Sequence, residues 1–151
     1  MIDLTKTFEY TIQVGVIDGN AKTVNKNGPL TNAELMYIHE YGAPTKNIPA
    51  RPVLQMSVDY ANNQLIDTAV DKAIDAYLKG GQNDLEKELL KTCQRIKSYA
   101  QEIIYSNDGR LQSNAPSTIK QKGFNHPLFI SGALARSIDC ILINDKGDVV
   151  W

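Results

Sequence analysis

Residues 52–105 read PVLQMSVDYANNQLIDTAVDKAIDAYLKGGQNDLEKELLKTCQRIKSYAQEIIY, and this stretch decides the fold. Apolar residues recur at helical spacing on both sides of Gly80 and Gly81. The first apolar stripe contains Leu54, Val58, Ala61, Leu65, Ala69, Ala73 and Ala76. The second contains Leu85, Leu89, Cys93, Ile96, Ala100 and Ile103. The pattern predicts two long helices with one apolar stripe each, joined by a tight turn into an antiparallel hairpin whose stripes must be covered.

The ends of both helices are marked by residues that start or stop a helix. Pro52 suits the first helical position, where the N–H that proline lacks would have no intrahelical partner. We expect the second helix from about residue 84 to residue 105, because Asn107, Asp108 and Gly109 form a helix stop directly after it.

The segment before the hairpin predicts one strand and one shorter helix. Apolar residues alternate with polar residues or glycine over residues 8–16, as in a strand with one buried face. Thr31 and Glu34 form a capping box at the start of a helix predicted over residues 31–41, and Gly42 ends it. Leu35 and Tyr41 lie on the helix face that we expect to be buried, together with Ile38.

Two connections flank this shorter helix. Residues 18–30 are rich in turn formers and predict a long polar loop. Residues 43–50 predict a rigid connector, because Pro44 and Pro49 restrict the backbone. Residues 110–125 form a second irregular segment. We expect both this segment and the polar loop to dock onto a partner.

The C-terminal third predicts a short helix and a hairpin. One helical turn is expected over residues 115–120, and Ser131 suits the N-cap of a short helix that runs through Arg136. Residues 138–143 predict a strand, residues 144–147 a hairpin turn and residues 148–151 its return strand. Together the elements predict a single α+β domain over residues 1–151, with a small, mostly antiparallel sheet packed against two long helices and with long loops.

Composition and charge bound the function. The net charge is −1, so the chain as a whole has no strong attraction to nucleic acid or to an anionic membrane. We see no signal peptide and no apolar run of membrane-spanning length, and we expect a soluble protein that is made in the cytoplasm. Cys93 and Cys140 are expected to be reduced and to pack as small apolar side chains, although the sequence leaves a disulfide open.

The residue patterns predict no catalytic residue, no metal ligand and no cofactor. His39 and Glu40 resemble the start of a zinc-protease helix, but Ala43 stands where that motif needs a second histidine. Ser131 lacks the strand-to-helix elbow of a serine nucleophile. Arg51 lies at a helix start, where the helix dipole disfavours a cation. We therefore expect an anionic partner for it. Glu40 is one candidate, within the same protomer or across an interface, and a solvated side chain is the alternative.

A second class of function is left open by a basic segment that contains aromatic residues. Basic residues with interspersed aromatic residues are typical of single-stranded nucleic-acid sites. The residues concerned are Arg110, Lys120, Lys122 and Arg136, with Phe124 and Phe129. A small nucleic-acid-binding module is therefore the alternative to a structural protein.

Several of these segments, taken in order, resemble one protein family. The segments are residues 38–42 (IHEYG), 48–52 (IPARP), 115–123 (APSTIKQKG), 127–128 (PL), 131–134 (SGAL) and 137–138 (SI). Their order and spacing resemble the tail-completion, neck and virion-morphogenesis proteins of long-tailed bacteriophages and prophages over about residues 8–143. One departure is residues 129–131, where the family more often carries polar residues and threonine.

The resemblance implies a non-enzymatic α+β structural protein that joins copies of itself in a ring, often a hexamer, at the head–tail junction or the top of the tail. It implies phage connector or head-completion proteins and tail-tube or tail-terminator proteins as partners. DNA would pass through the ring without sequence-specific binding, with no membrane involved, in a virion assembled in the bacterial cytoplasm. The motif and interface candidates are Glu40, Gly42, Pro49, Arg51, Pro52, Lys122, Gly123, Pro127, Leu128, Ser131, Gly132, Leu134 and Ser137.

Overall fold

The computed structural model describes residues 4–17, 28–128 and 132–151. The fold is α+β with a small antiparallel sheet, as predicted. The strands, in the order β1-β2-β3 across the sheet, are β1 (Thr11–Val16), β2 (Ile138–Ile143) and β3 (Val149–Val150). The helices are α1 (Asn32–Tyr41), α2 (Val53–Tyr60), α3 (Ile66–Gly80), α4 (Gln82–Ser106), α5 (Pro116–Lys122) and α6 (Ala133–Ser137).

The first long helix is not uniform, because a π-helical segment over Ala61–Leu65 joins α2 to α3. The backbone N–H of Ile66 donates to the carbonyl of Ala61 in the wider π pattern. The buried side chains recur every four residues, and four residues overshoot a full turn of an α-helix by about 40°. The wider π-helical segment offsets part of this rotation, so the buried side chains stay on one face of the helix. The buried side chains are Val53, Ser57, Ala61, Leu65, Ala69 and Ala73.

The apolar stripe predicted for the start of this helix was therefore wrong by one position. The inward face begins with Val53 and Ser57, whereas Leu54 is half-buried and Val58 is 38% exposed. Ser57 is accommodated in the core because its hydroxyl donates to the carbonyl of Leu54 at 2.7 Å. Pro52 precedes the helix at its N-cap position, one residue before its predicted place.

The second long helix and the glycine turn agree with the prediction. Leu85, Cys93, Ile96, Ala100 and Ile103 are buried, and Leu89 is half-buried. Gly81 has a φ of 82°, which lets the chain turn directly from α3 into α4, and the two helices pack against each other. The helix ends at Asn107, which adopts the left-handed conformation with a φ of 47°.

The sheet lies against α4 and α2, where it closes the core. Val14 is paired with Cys140 and Val16 with Ile138, so these residues share the face that packs on the helices. The predicted strand over residues 138–143 and the turn after it are confirmed. The predicted first strand is shorter than expected, because pairing begins at Thr11 rather than at residue 8.

The predicted loops have different outcomes. The helical turn predicted over residues 115–120 is confirmed, and it is longer than expected, because α5 runs from Pro116 to Lys122 and ends at Gly123 with a φ of 83°. Of the loop predicted over residues 18–30, residues 18–27 lie outside the described part of the chain, as does Ser131 with its predicted capping role. The short helix α6 follows Gly132, which has a φ of 76°.

The inward face of α1 also differs from the prediction. Thr31 and Glu34 form the expected capping box. The buried residues, however, are Asn32, Met36 and Glu40, whereas Tyr41 is 68% exposed. The prediction for Tyr41 was wrong because α1 turns Met36 towards the core next to Val53 and Ala135. Tyr41 follows five residues later and lies about 140° around the helix axis from Met36, on a different face.

Candidate assembly interface

Glu40 joins α1 to α2. Its two carboxylate oxygens accept the backbone N–H groups of Leu54 at 2.9 Å and Gln55 at 2.7 Å. These donors lie in the first turn of α2, where backbone N–H groups have no intrahelical acceptor. Pro52, at the N-cap position, supplies no side-chain cap, so Glu40 caps the helix from a neighbouring element. A negative charge is also favourable at this end of the helix dipole.

Arg51 joins the same junction to the segment before α5. Its Nε donates to the carbonyl of Gln112 at 2.7 Å and its Nη2 to the carbonyl of Ser113 at 3.0 Å. Its backbone N–H donates to the carbonyl of His39 at 2.6 Å. Arg51 is only 5% exposed, and burial lowers the pKa of its guanidinium.

The prediction of an ion pair between Arg51 and Glu40 within one protomer was therefore wrong, and so was the alternative of a solvated side chain. None of the ion pairs among the described residues involves Arg51, and Glu40 uses its oxygens on α2. The guanidinium is satisfied by carbonyl oxygens instead, because a planar fork of N–H groups matches two successive carbonyls as well as it matches a carboxylate.

Gly42 is required by the crossing of two backbone segments. Its φ is 74°, and a Cβ at this position would lie 2.8 Å from both the carbonyl oxygen of Ile48 and the backbone nitrogen of Ala50. The same Cβ would lie 3.1 Å from the carbonyl carbon of Pro49. Ala43 and Ile48 pair as an isolated β-bridge that closes the connector. The glycine thus allows the connector to return across the end of α1.

Lys122 and the residues after it form the far side of the junction. Lys122 donates to the carbonyl of His126 at 2.7 Å, and its Nζ lies 5.0 Å from the centre of the Phe124 ring. Pro127 is buried, and Leu128, with a φ of 61°, packs against the main core cluster. Burial, with the nearby charges of Arg51 and Lys122, lowers the pKa of His39 to about 4.

The last group of motif residues belongs to α6. Ser137 is buried and its hydroxyl donates to the carbonyl of Leu134 at 2.6 Å. Leu134 is part of the main core cluster, and Gly132 is buried just before the helix. The carbonyl of Ala135 accepts a hydrogen bond from Gln101 of α4 at 3.1 Å. The motif residues of α6 therefore serve the core of the protein.

The structure thus gives most of the predicted site residues contacts inside one chain. Glu40, Arg51 and Gly42 meet at the end of α1, and Arg51 links them to the segment that leads into α5. These residues hold helices and loops in place. Their direct contact with a second copy stays a prediction.

The surface that faces outward was not found from the sequence. Val70, Ile74 and Leu78 are 48%, 51% and 46% exposed and follow one another at four-residue spacing along one side of α3. We call these three residues the α3 ridge. The signal was present in the sequence as a second apolar series, which starts at Ile66. The expectation of a single apolar stripe per helix was wrong for this helix.

A second exposed apolar region lies between β1 and the helices α1 and α2. A groove of about 370 Å³ there is lined by residues that include Val14, Leu54 and Val58. Tyr37 and Tyr41, 67% and 68% exposed, also line it, and their ring centres are 4.8 Å apart. Tyrosine side chains with this exposure are typical of protein interfaces.

A third feature is a groove on the helix hairpin, which we call the hairpin groove. It has a volume of about 540 Å³ and runs between α3 and α4. Its charged lining consists of Lys72, Lys79, Lys87 and Lys91 with Asp75, Asp84 and Glu88. Lys87 pairs with Asp84 at 3.2 Å and Lys91 with Glu88 at 2.6 Å, both across one helical turn.

The basic residues proposed for nucleic-acid binding are partly engaged within the chain. Arg110 pairs with Asp108 at 2.8 Å and lies 5.5 Å from the centre of the Tyr99 ring. Lys122 contacts Phe124 and the carbonyl of His126, as described above. Lys120 and Arg136 are exposed on α5 and α6, and Phe129 lies outside the described residues. The four cations are therefore spread over three elements.

The described ranges contain no group of three or more His, Cys, Asp and Glu side chains placed to bind a metal ion. Over those ranges, no helix combines the length and the apolar character that spanning a membrane requires. Cys93 and Cys140 are free thiols in contact with each other, and this contact lowers the pKa of Cys93 and raises that of Cys140.

Comparison with known proteins adds no relative to this description. No protein-family model, curated protein or solved structure matches the chain. The resemblance to phage tail-completion and neck proteins therefore stays a prediction.

Proposed function

We propose that this protein is a non-enzymatic structural subunit of a bacteriophage or prophage particle, which acts at the head–tail junction or at the top of the tail and works as a ring of copies. The observation that carries the proposal is the exposed apolar surface of the helices, above all the α3 ridge. Apolar side chains aligned on an exposed helix face favour a partner that covers them.

A ring subunit needs two different complementary surfaces, because each copy contacts one neighbour on each side. The described residues offer more than one candidate surface. The α3 ridge and the tyrosine-lined groove beside β1 are apolar, whereas the hairpin groove is charged. This variety supports contacts between unlike surfaces, as in a ring, over contacts between two identical patches.

The motif junction supports the same proposal from inside the protein. Glu40 fixes α1 to the start of α2, and it lies on the helix between Tyr37 and Tyr41. The carboxylate thereby sets the position of both tyrosines relative to Val58 across the groove. The residues that carry the resemblance therefore position an exposed surface, which is the role expected of a rigid part in an assembly.

The charge of the chain is compatible with DNA passing through such a ring. A net charge of −1 gives little attraction to phosphates, so DNA would not be held by the ring as a whole. The proposed partners are further copies of the chain, a connector or head-completion protein, and a tail-tube or tail-terminator protein. The proposed location is the virion, after assembly in the cytoplasm of the bacterial host.

Quantitative mass spectrometry of purified particles tests this proposal. We expect the chain in intact virions or tails at a fixed copy number that matches the symmetry of the adjoining ring. A chain that is absent from the particles, or present in varying trace amounts, contradicts the proposal. Titration with single- and double-stranded DNA tests the alternative, since a nucleic-acid-binding module gives tight binding that weakens steeply with salt.

A further inference from the structure

The α3 ridge carries a charge pattern that restricts its partner. Asp67 and Asp71 are exposed and lie beside it at the same four-residue spacing, whereas Asp75, the next in the series, lines the hairpin groove. The ridge is thus an apolar seam flanked by two carboxylates, those of Asp67 and Asp71. If two such seams met face to face, the carboxylates of both copies would be brought together, and like charges across an interface are unfavourable. The pattern disfavours a symmetric pairing of the ridge with itself.

The hairpin groove has a small excess of positive charge, because four lysines line it together with Asp75, Asp84 and Glu88. Lys72 and Lys79 lie at its α3 side and are exposed, and neither takes part in an ion pair among the described residues. Lys87 and Lys91 line its α4 side. The aliphatic stems of lysines cover apolar surface while their ammonium groups stay in water. A groove lined in this way can receive an apolar ridge and pair with its acidic flank.

We infer that copies of this chain associate head to tail, with the α3 ridge of one copy seated in the hairpin groove of the next. Val70, Ile74 and Leu78 then pack on the lysine stems and on Ala76, which also lines the groove. The flanking aspartates face the lysines. This inference rests on the proposed ring and names the contact that builds it.

The occupant is a second copy because the same chain carries both halves of the contact. The ridge and the groove lie on different sides of α3, so one copy can use both at once. Such heterologous contacts join different surfaces of neighbouring copies and repeat from copy to copy. They form a ring when the rotation between neighbouring copies closes on itself. The two surfaces lie on α3 and α4, the helices that form the hairpin, which is a rigid support for an interface.

Charge reversal tests the contact. We would compare sedimentation equilibrium of the parent chain with an acidic-flank variant, Asp67→Lys with Asp71→Lys, and a groove variant, Lys72→Glu with Lys79→Glu. Each variant should weaken self-association at least about tenfold, because it places like charges opposite each other. The combined variant with all four substitutions should recover association, since opposite charges face each other again.

Two further variants separate contact from folding. Ile74→Asp should abolish association while its circular dichroism and urea midpoint stay close to those of the parent, because Ile74 is exposed. Glu102→Lys, an exposed charge reversal on α4 away from the groove, is the matched control and should associate like the parent.

Three outcomes overturn the inference. One is a parent chain that remains monomeric at every concentration, and another is association that neither charge variant weakens. The third is a combined variant that does not recover. If association occurs but these variants leave it unchanged, the ring proposal stands and another surface forms the contact. If the chain is missing from purified particles, the proposed function fails whatever the sedimentation shows.

Discussion

Replacing Arg51 with methionine tests whether the buried arginine holds the motif junction together. Methionine keeps most of the aliphatic volume and removes the donors to Gln112 and Ser113. A hydrogen bond from a charged group contributes about 1.5–3 kcal/mol. Gln112 and Ser113 are exposed, so water reaches their carbonyls once the guanidinium is gone, and the lower end of that range applies. Loss of the buried charge also removes its desolvation penalty.

The expected net loss of unfolding free energy for Arg51→Met is about 2–3 kcal/mol. For a chain of this size, that loss lowers Tm by about 4–12 °C. Urea unfolding followed by far-ultraviolet circular dichroism measures it. Arg51→Lys should lose less, because an ammonium group donates to one carbonyl without the second arm of the fork.

The matched control is Arg95→Met, an exposed arginine on α4, which should change stability by no more than about 0.5 kcal/mol. If Arg51→Met loses less than about 1 kcal/mol, the hydrogen bonds to Gln112 and Ser113 do not hold the junction, and this reasoning is refuted.

Three further predictions concern other parts of the molecule. Gly42→Ala should lower the unfolding free energy, measured by urea unfolding, by at least about 3 kcal/mol. Gly147→Ala is the control: its φ is 84° and an added Cβ meets open space, so it should lose only about 1–2 kcal/mol. Equal losses would show that the two backbone segments at Gly42 do not cross tightly. His39 has a pKa of about 4 in the folded chain, below its ordinary value of 6.5, so the unfolded chain takes up a proton first as pH falls. Unfolding free energy should therefore fall by up to about 3 kcal/mol between about pH 6.5 and pH 4 relative to a His39→Gln variant, and parallel pH profiles of the two proteins would contradict this. Limited trypsin digestion should cut first within residues 18–30 or 110–125, the segments predicted to dock; uniform resistance of both segments would count against docking loops.

The parts of the fold that the sequence predicted are those governed by neighbouring residues. The capping box of Thr31 and Glu34 was predicted because its two hydrogen bonds span three residues. The turn at Gly81 was predictable for the same reason, since a left-handed φ between two helical patterns favours glycine. Strand β2 and its turn also follow local rules.

The parts that were missed depend on contacts between distant residues. Arg51 and Gln112 are 61 positions apart, so nothing local to Arg51 shows that its partners are carbonyls rather than a carboxylate. Glu40 caps a helix that begins 13 residues later, in a way that no capping motif describes. The π-helical segment depends on packing against α4 and β1, where the buried side chains of the first long helix recur every four residues. A regular α-helix would rotate such side chains off one face, and the wider π segment reduces that rotation.

The sequence shows the apolar residues of the candidate interface but not their exposure. The spacing of Ile66, Val70, Ile74 and Leu78 shows a second apolar series, but the series alone does not say which of the two faces of α3 is covered within the chain. The fold decides this, because α4 covers Ala69 and Ala73 and leaves Val70 and Ile74 outside. Exposure in the folded chain is therefore what identifies the ridge.

Hydroxyl-radical footprinting of Val70, Ile74 and Leu78 tests the central claim most directly, because it measures whether these side chains are covered. The free chain and purified phage particles would be oxidised side by side, with exposed Leu4 as an internal reference. We predict that all three ridge residues react readily in the free chain and are protected in the particle. Equal reactivity of the ridge in both samples would contradict the claim that copies of this protein join through their exposed helix surface.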